Sequence, residues 1–125
     1  MPLSEKKIQN QILRDFATRT DMRLWRASTG KAVPYSFIKQ LYSVVWNKDF
    51  QKAIHMLETP PMLSFGINGQ ADLSGILDDG RRLEIEVKAP KGRQSEDQKV
   101  FQKVIERFGG VYILAKSSED VGRII

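Results

Sequence analysis

Asp72, Glu86 and Lys88 form the one acid–acid–lysine set in this chain that neighbouring extended segments could bring together for catalysis. Glu86 and Lys88 lie in the alternating run 81–89, where Leu83, Ile85 and Val87 share one face and Glu84, Glu86 and Lys88 the other. A second extended run, 70–77, precedes it, and Asp78-Asp79-Gly80 between the two suits a three-residue hairpin loop. Leu77 then faces Arg81 and, counting back along both strands, Asp72 stands opposite Glu86. Directly opposed residues hold their Cβ atoms roughly 4.5–5.5 Å apart, so two carboxylates share one spot on one face. Like charges so placed are unfavourable unless something neutralises them. A divalent cation does so, and an oxygen-only donor set suits Mg²⁺ or Mn²⁺. Lys88, two residues beyond Glu86, points to the same face. Two acids, one lysine and no histidine fit metal-assisted attack of water on a phosphodiester. The pairing depends on register, because a slip of one residue turns Asp72 to the other side. Alternation alone is equally satisfied by an amphipathic strand whose Glu84, Glu86 and Lys88 form its wet face.

The elements that must position these groups are legible around them. Ser4 caps a first helix with Ile8, Ile12, Leu13 and Phe16 at helical spacing, and Thr20-Asp21 breaks it. A short strand follows at 22–27. Pro34 opens a second helix carrying Phe37, Ile38, Leu41, Tyr42 and Val45. Asp49 caps a third with Phe50, Ala53, Ile54 and Leu57, ended by Pro60-Pro61. Asn68-Gly69 reads as a further hairpin-type turn ahead of the 70–77 strand. Ser95 opens a fourth helix whose buried stripe is Val100, Phe101, Val104, Ile105 and Phe108, closed by Gly109-Gly110. Residues 111–115 form a buried strand, and Ser118 begins a last, truncated helical turn. The order helix, strand, two helices, hairpin, helix, strand is α/β, with the last strand reached by a right-handed crossover and parallel to its neighbour. Ser95-Glu96-Asp97-Gln98 also fits a capping box, in which Gln98 bonds back to the Ser95 amide.

Composition narrows the field. With 125 residues, one compact domain is expected, and 41% hydrophobic residues can build its core. The absence of cysteine excludes a disulfide framework, a cysteine nucleophile and thiolate zinc sites. The single histidine, His55, excludes multi-His metal centres and reads as a helix-packing or surface residue. No apolar run is long enough to span a bilayer, and Met1-Pro2-Leu3-Ser4-Glu5 is no signal peptide, so a cytoplasmic protein without a membrane partner is expected. Gly30-Lys31 is no phosphate loop, since the glycine required five places earlier is Trp25, and no nucleotide cofactor is expected.

The formal charge is +5, and the surplus is concentrated between Arg14 and Lys52. Arg14, Arg19, Arg23, Arg26 and Lys31 lead that stretch, followed by Lys39, Lys48 and Lys52, against Asp15, Asp21 and Asp49. Such a field attracts a polyanion, nucleic acid above all, or serves as a solvated surface. Trp25, Tyr42 and Trp46 suit stacking on bases, although burial preferences favour core or interface packing for them.

Gly69-Gln70-Ala71-Asp72, then Glu86-Val87-Lys88 within Leu83–Gly92, then Ser95-x-x-Gln98 and Phe108-Gly109-Gly110-Val111-Tyr112 together resemble the PD-(D/E)XK nuclease superfamily. Within it, the pattern resembles the virus-type replication-repair nuclease (VRR-NUC) family over about residues 66–121, with the first helix also family-like. The family usually has proline before the metal-binding aspartate, where this chain has Ala71. The resemblance implies a restriction-endonuclease-like core, a mixed central sheet flanked by helices, in a single nuclease domain with a helical insertion at about 31–66. By matched position it implies Asp72 and Glu86 as side-chain metal ligands, the Val87 carbonyl as a third, and Lys88 as the group that orients water and offsets transition-state charge. Gln98 joins the set, and the acid expected from the first helix is Glu5, which a first-turn preference for negative charge explains as well. Lys91 and Arg93, with the basic stretch, are the expected DNA contacts. The implied activity is Mg²⁺- or Mn²⁺-dependent endonucleolytic cleavage of structured DNA such as four-way junctions or flaps, in a phage or bacterial setting. Rival readings are a RecB-like or restriction-type nuclease on the same fold and a catalytically silent DNA-binding module. Stand-alone family members look like dimers, and the apolar surplus in the insertion fits a homodimer contact. Light scattering that finds only monomer would remove it.

Overall fold

The structure, a computed structural model, describes residues 2–27 and 30–125; Met1, read above as part of the N-terminus, lies outside them. The chain divides into two compact units, one made of 1–27 with 67–125 and the other of 28–66. In the first unit β1 (Met22–Arg26), β4 (Leu73–Leu77), β5 (Arg82–Val87) and β6 (Val111–Ala115) form a four-stranded sheet in the order β1-β4-β5-β6. β1 and β4, and β4 and β5, pair antiparallel, while β5 and β6 run parallel, so the fold is mixed α/β.

The β4–β5 register is the one the loop length dictates. Leu73 pairs with Ile85, Ser74 with Glu84 and Gly75 with Leu83. Beyond the ladder the Leu77 amide donates to the Arg81 carbonyl at 2.9 Å, closing the Asp78-Asp79-Gly80 loop. Gly80 supplies the positive φ of 86° that this turn requires. Asp79 accepts from the Arg81 amide at 3.0 Å, and this bond, with the Arg81 guanidinium beside it, holds its carboxyl below the usual range.

Each face of the sheet has its own cover. On one, Leu73, Leu83, Ile85 and Val87 are fully buried against Ile8 and Ile12 of α1 (Glu5–Asp15) and Val121 of α5 (Ser118–Ile124). Each such side chain contributes about 1.5–3 kcal/mol of burial free energy. On the other, Ala71 and Tyr112 pack with Phe101 and Ile105 of α4 (Glu96–Arg107). Both faces of β5 are thus covered, and the wet-face reading of Glu84 and Glu86 is overturned: they are 0% and 3% exposed. Glu84 is satisfied by Ser74 Oγ at 2.9 Å and Arg82 Nε at 2.5 Å.

The second unit holds α2 (Tyr35–Trp46), α3 (Phe50–Glu58) and a two-stranded antiparallel sheet of β2 (Gly30–Ala32) and β3 (Leu63–Phe65). This small sheet is absent from the sequence reading, which placed only helices between residues 31 and 66. Asn68-Gly69 is a turn but joins no hairpin, since β3 pairs with β2 and β4 with β1 and β5. Two burial expectations are also corrected. Val100, Val104 and Phe108 are exposed, because the apolar residues α4 packs against the sheet are Phe101 and Ile105. Of the core or interface packing expected for Trp25, Tyr42 and Trp46, the core half is overturned, since all three are exposed. Among the described residues no helix is long and apolar enough to cross a membrane.

Candidate active site

Three elements meet at one end of β4 and β5. Asp72 immediately precedes β4, and its backbone carbonyl accepts the Ala27 amide at 3.0 Å, continuing the β1–β4 ladder. Its Oδ2 accepts the Val87 amide at 2.8 Å, which ties the carboxylate across to β5. Glu86 enters from β5, and Lys88, just past the end of that strand, sets its Nζ 3.6 Å from Glu86 Oε1. Strand alternation puts Glu86 and Lys88 on one face, and the register puts Asp72 beside them.

The third contribution is the start of α4. Ser95 caps it and Gln98 completes a capping box, its Oε1 accepting the Ser95 amide at 2.8 Å. The other end of the same amide, Nε2, donates to Glu86 Oε1 at 2.8 Å. Capping and site contact, the two roles the sequence offers for Gln98, coexist because one amide offers an acceptor and a donor in opposite directions.

Gly69 allows this approach. It has a φ of 77°, and a Cβ there would lie 2.2 Å from the Asp97 carbonyl oxygen and 2.7 Å from the Gln98 nitrogen. The turn ahead of Asp72 is thereby pressed onto the first turn of α4. Gly69→Ala is expected to lower Tm by about 5 °C or more, through a strained φ and a backbone clash together, and to part Gln98 from Glu86. Thermal denaturation followed by circular dichroism checks the first effect.

The electrostatics follow from the geometry. Burial, then the neighbouring Asp72 charge, push the Glu86 carboxyl up to about 7, against the opposing pull of Lys88. Burial likewise raises the Tyr112 hydroxyl to about 12, with Glu86, Asp72 and Glu84 adding to the rise, while its bond from Gln94 Nε2 at 3.2 Å opposes it. Glu86 Oε2 is buried and, among the described residues, has no hydrogen-bond partner. An orphaned, buried carboxylate oxygen beside a second carboxylate is the donor arrangement a small hard cation satisfies, so the residues fit Mg²⁺ or Mn²⁺. Among the described residues no group of three or more His, Asp or Glu side chains is arranged to hold a metal. Two side-chain carboxylates suit Mg²⁺, which keeps several of its waters.

The remaining expected residues divide. Glu5, in the first turn of α1, accepts the Ala89 amide through Oε1 at 3.2 Å, one residue past Lys88. It therefore reaches the end of β5 through backbone. Lys91 and Arg93 are exposed in the segment joining Lys88 to α4. Arg14, Arg23 and Arg26 are exposed on α1 and β1, with Arg26 bonded to Gln9 Oε1 at 2.7 Å and to Asn10. The Arg19 charge is engaged by Asp21, with Nε–Oδ1 at 2.8 Å, so it adds little to an external field. Lys31 is exposed on β2, in the other unit. His55 is a surface residue beside Glu58.

Residues outside the expected set also shape the site. Gln94 bonds both Tyr112 and Gln102, its Nε2 to Gln102 Oε1 at 2.9 Å, and so braces the segment that carries Lys91 and Arg93. A lone glutamine before a helix cap carries no sequence signal for this. Glu84 was visible only as part of an alternation.

Comparison of the chain with protein-family models, with curated proteins and with solved structures found no match.

Proposed function

We propose that the chain is a metal-dependent DNA endonuclease of the PD-(D/E)XK type, VRR-NUC-like, acting on branched DNA. One observation carries the reading: a glutamate 3% exposed, with an oxygen unpartnered among the described residues, is held beside Asp72 and Lys88 instead of being replaced by an apolar residue. Such a charge is costly to keep without a ligand.

Asp72, Glu86 and the Val87 carbonyl would hold Mg²⁺ or Mn²⁺, which when bound neutralises phosphate charge and makes water a better nucleophile. Asp72 Oδ2 keeps its bond to the Val87 amide and so fixes the Glu86–Val87 peptide, next to that carbonyl. Gln98 Nε2 fixes Glu86 Oε1, and Oε2, left without a partner among the described residues, is the oxygen that would bind the cation. Lys88 Nζ donates to the attacking water and balances charge building on the phosphoryl oxygens. Water adds at phosphorus in line, the P–O3′ bond breaks, and the water's proton ends on the departing 3′ oxygen, giving a 5′-phosphate and a 3′-hydroxyl. The exposed Lys91, Arg93, Arg14, Arg23 and Arg26 would take backbone phosphates.

Labelled junction, flap, splayed and duplex DNAs incubated with Mg²⁺ or Mn²⁺ test the reading. Cleavage of branched substrates in preference to duplex is expected, and no cleavage of any under either metal would sink it. Affinity should fall at least about tenfold between about 50 and 200 mM salt, because phosphate contacts release counterions. A salt-insensitive affinity would remove the basic residues from the interface.

A further inference from the structure

Tyr42 and Trp46, one turn apart on α2, are 69% and 75% exposed. Their rings stack, with centroids 6.2 Å apart and planes inclined by 19°. With Val45 and Phe50 they line an open groove of 380 Å³, whose remaining lining residue is Lys48. Clefts of about 300–1,000 Å³ are the size that takes small organic groups, and a bare aromatic surface of this kind marks a binding site.

Charge selects the occupant. Among the described residues no acidic side chain lines the groove. The adjacent Asp49 is engaged in capping α3, its Oδ1 accepting the Lys52 amide at 3.2 Å. A lysine is disfavoured at the centre of a protein–protein contact. Flat aromatic faces beside ammonium groups are instead how single strands are gripped, with rings for bases and cations for phosphates. Lys48 moreover has a φ of 60°, just past the end of α2, where the left-handed backbone favours glycine. A cation is thus kept at a position whose backbone prefers no side chain.

We infer that the 28–66 unit is a base-stacking platform for unpaired DNA: a nucleobase inserts beside Tyr42 and Trp46, and Lys48 takes a flanking phosphate. This rests on the DNA reading above and names single-stranded segments as the part of the substrate this unit holds.

Trp25→Phe in the full chain leaves Trp46 as the sole tryptophan, since the sequence has 2. In EDTA, an oligothymidine of about 12 nucleotides should quench its emission. Trp46→Ala and Tyr42→Ala should each weaken that binding about 5- to 100-fold, while binding of duplex of the same length changes within about twofold. Lys48→Gly should raise Tm yet weaken oligothymidine binding several-fold, a pairing that loss of folding cannot produce. An unquenched Trp46, or unchanged oligothymidine affinity in Trp46→Ala, overturns the inference. So does sedimentation showing a dimer that Trp46→Ala dissociates with affinity unchanged, for the groove then belongs to a second copy. None of these readouts needs hydrolysis. An inactive protein with quenched Trp46 loses the nuclease reading alone, and an active one with unquenched Trp46 loses the platform alone.

Discussion

Asp72→Ala and Lys88→Ala are each expected to lower Mg²⁺- or Mn²⁺-dependent cleavage about a thousandfold or more, an activation cost of about 4 kcal/mol, with DNA affinity kept within about threefold. The two act differently. Asp72→Ala removes the proposed metal ligand and also the observed acceptor of the Val87 amide, so this variant should lose some thermal stability as well. Asp72→Asn retains an acceptor for that amide and should restore stability without restoring cleavage. Lys88 touches the fold less, since its side chain contacts Glu86 alone among the described ion pairs, and its loss should be felt in rate more than in Tm. Single-turnover cleavage of a junction substrate, with binding measured separately in EDTA, separates these effects. Unchanged cleavage in any of the three variants would refute the site.

Glu86→Gln is expected to abolish cleavage and yet to stabilise the metal-free protein. The Glu86 carboxyl titrates at about 7 in the fold, raised by burial and by Asp72, against about 4.3 in an unfolded chain. The folded form therefore holds its proton more tightly. Its contribution to stability is fully present below about pH 4.3, is lost as pH rises toward about 7, and is constant above that. Glutamine is always neutral, so Glu86→Gln should match wild type near about pH 4 and exceed it by about 5 °C or more in Tm near about pH 8, in EDTA. Mn²⁺ should reverse the order at high pH, because it stabilises the ionised wild-type site and finds no second charge in the variant. A Tm difference independent of pH would mean that Glu86 carries no buried charge to relieve.

Much of the sheet was legible because its determinants are local. Asp78-Asp79-Gly80 sets a loop length, the loop sets the register, and the register places Asp72 against Glu86. Ser95 and Gln98 are likewise three residues apart, so the capping box could be read directly. The contact from Gln98 to Glu86 depends on how α4 lies against the sheet, and no sequence spacing encodes that. Asn68-Gly69 misled for a physical reason. Its glycine is needed for a positive φ and for clearance from Asp97, and both demands look like a hairpin turn in sequence. β2 and β3 were missed because three-residue strands are too short to alternate, and their partners lie more than thirty positions apart. Periodicity marked Val100, Val104 and Phe108 as one stripe without saying that only Phe101 and Ile105 would find cover.

The chain leaves the larger unit at Ala27 and returns at Ile67. Ala27 is bonded to the Asp72 carbonyl at 3.0 Å, and Ile67 to the Gln70 amide two residues before Asp72 at 3.0 Å. The 28–66 segment is therefore leashed at both ends to the neighbourhood of one carboxylate. Two weak grips carried on one chain can act as a single stronger one, because the second capture becomes intramolecular. If the nuclease and platform roles proposed above both hold, a strand bound by the 28–66 unit stays on the molecule that carries the acidic pair, and several cuts per encounter are the expected kinetic signature.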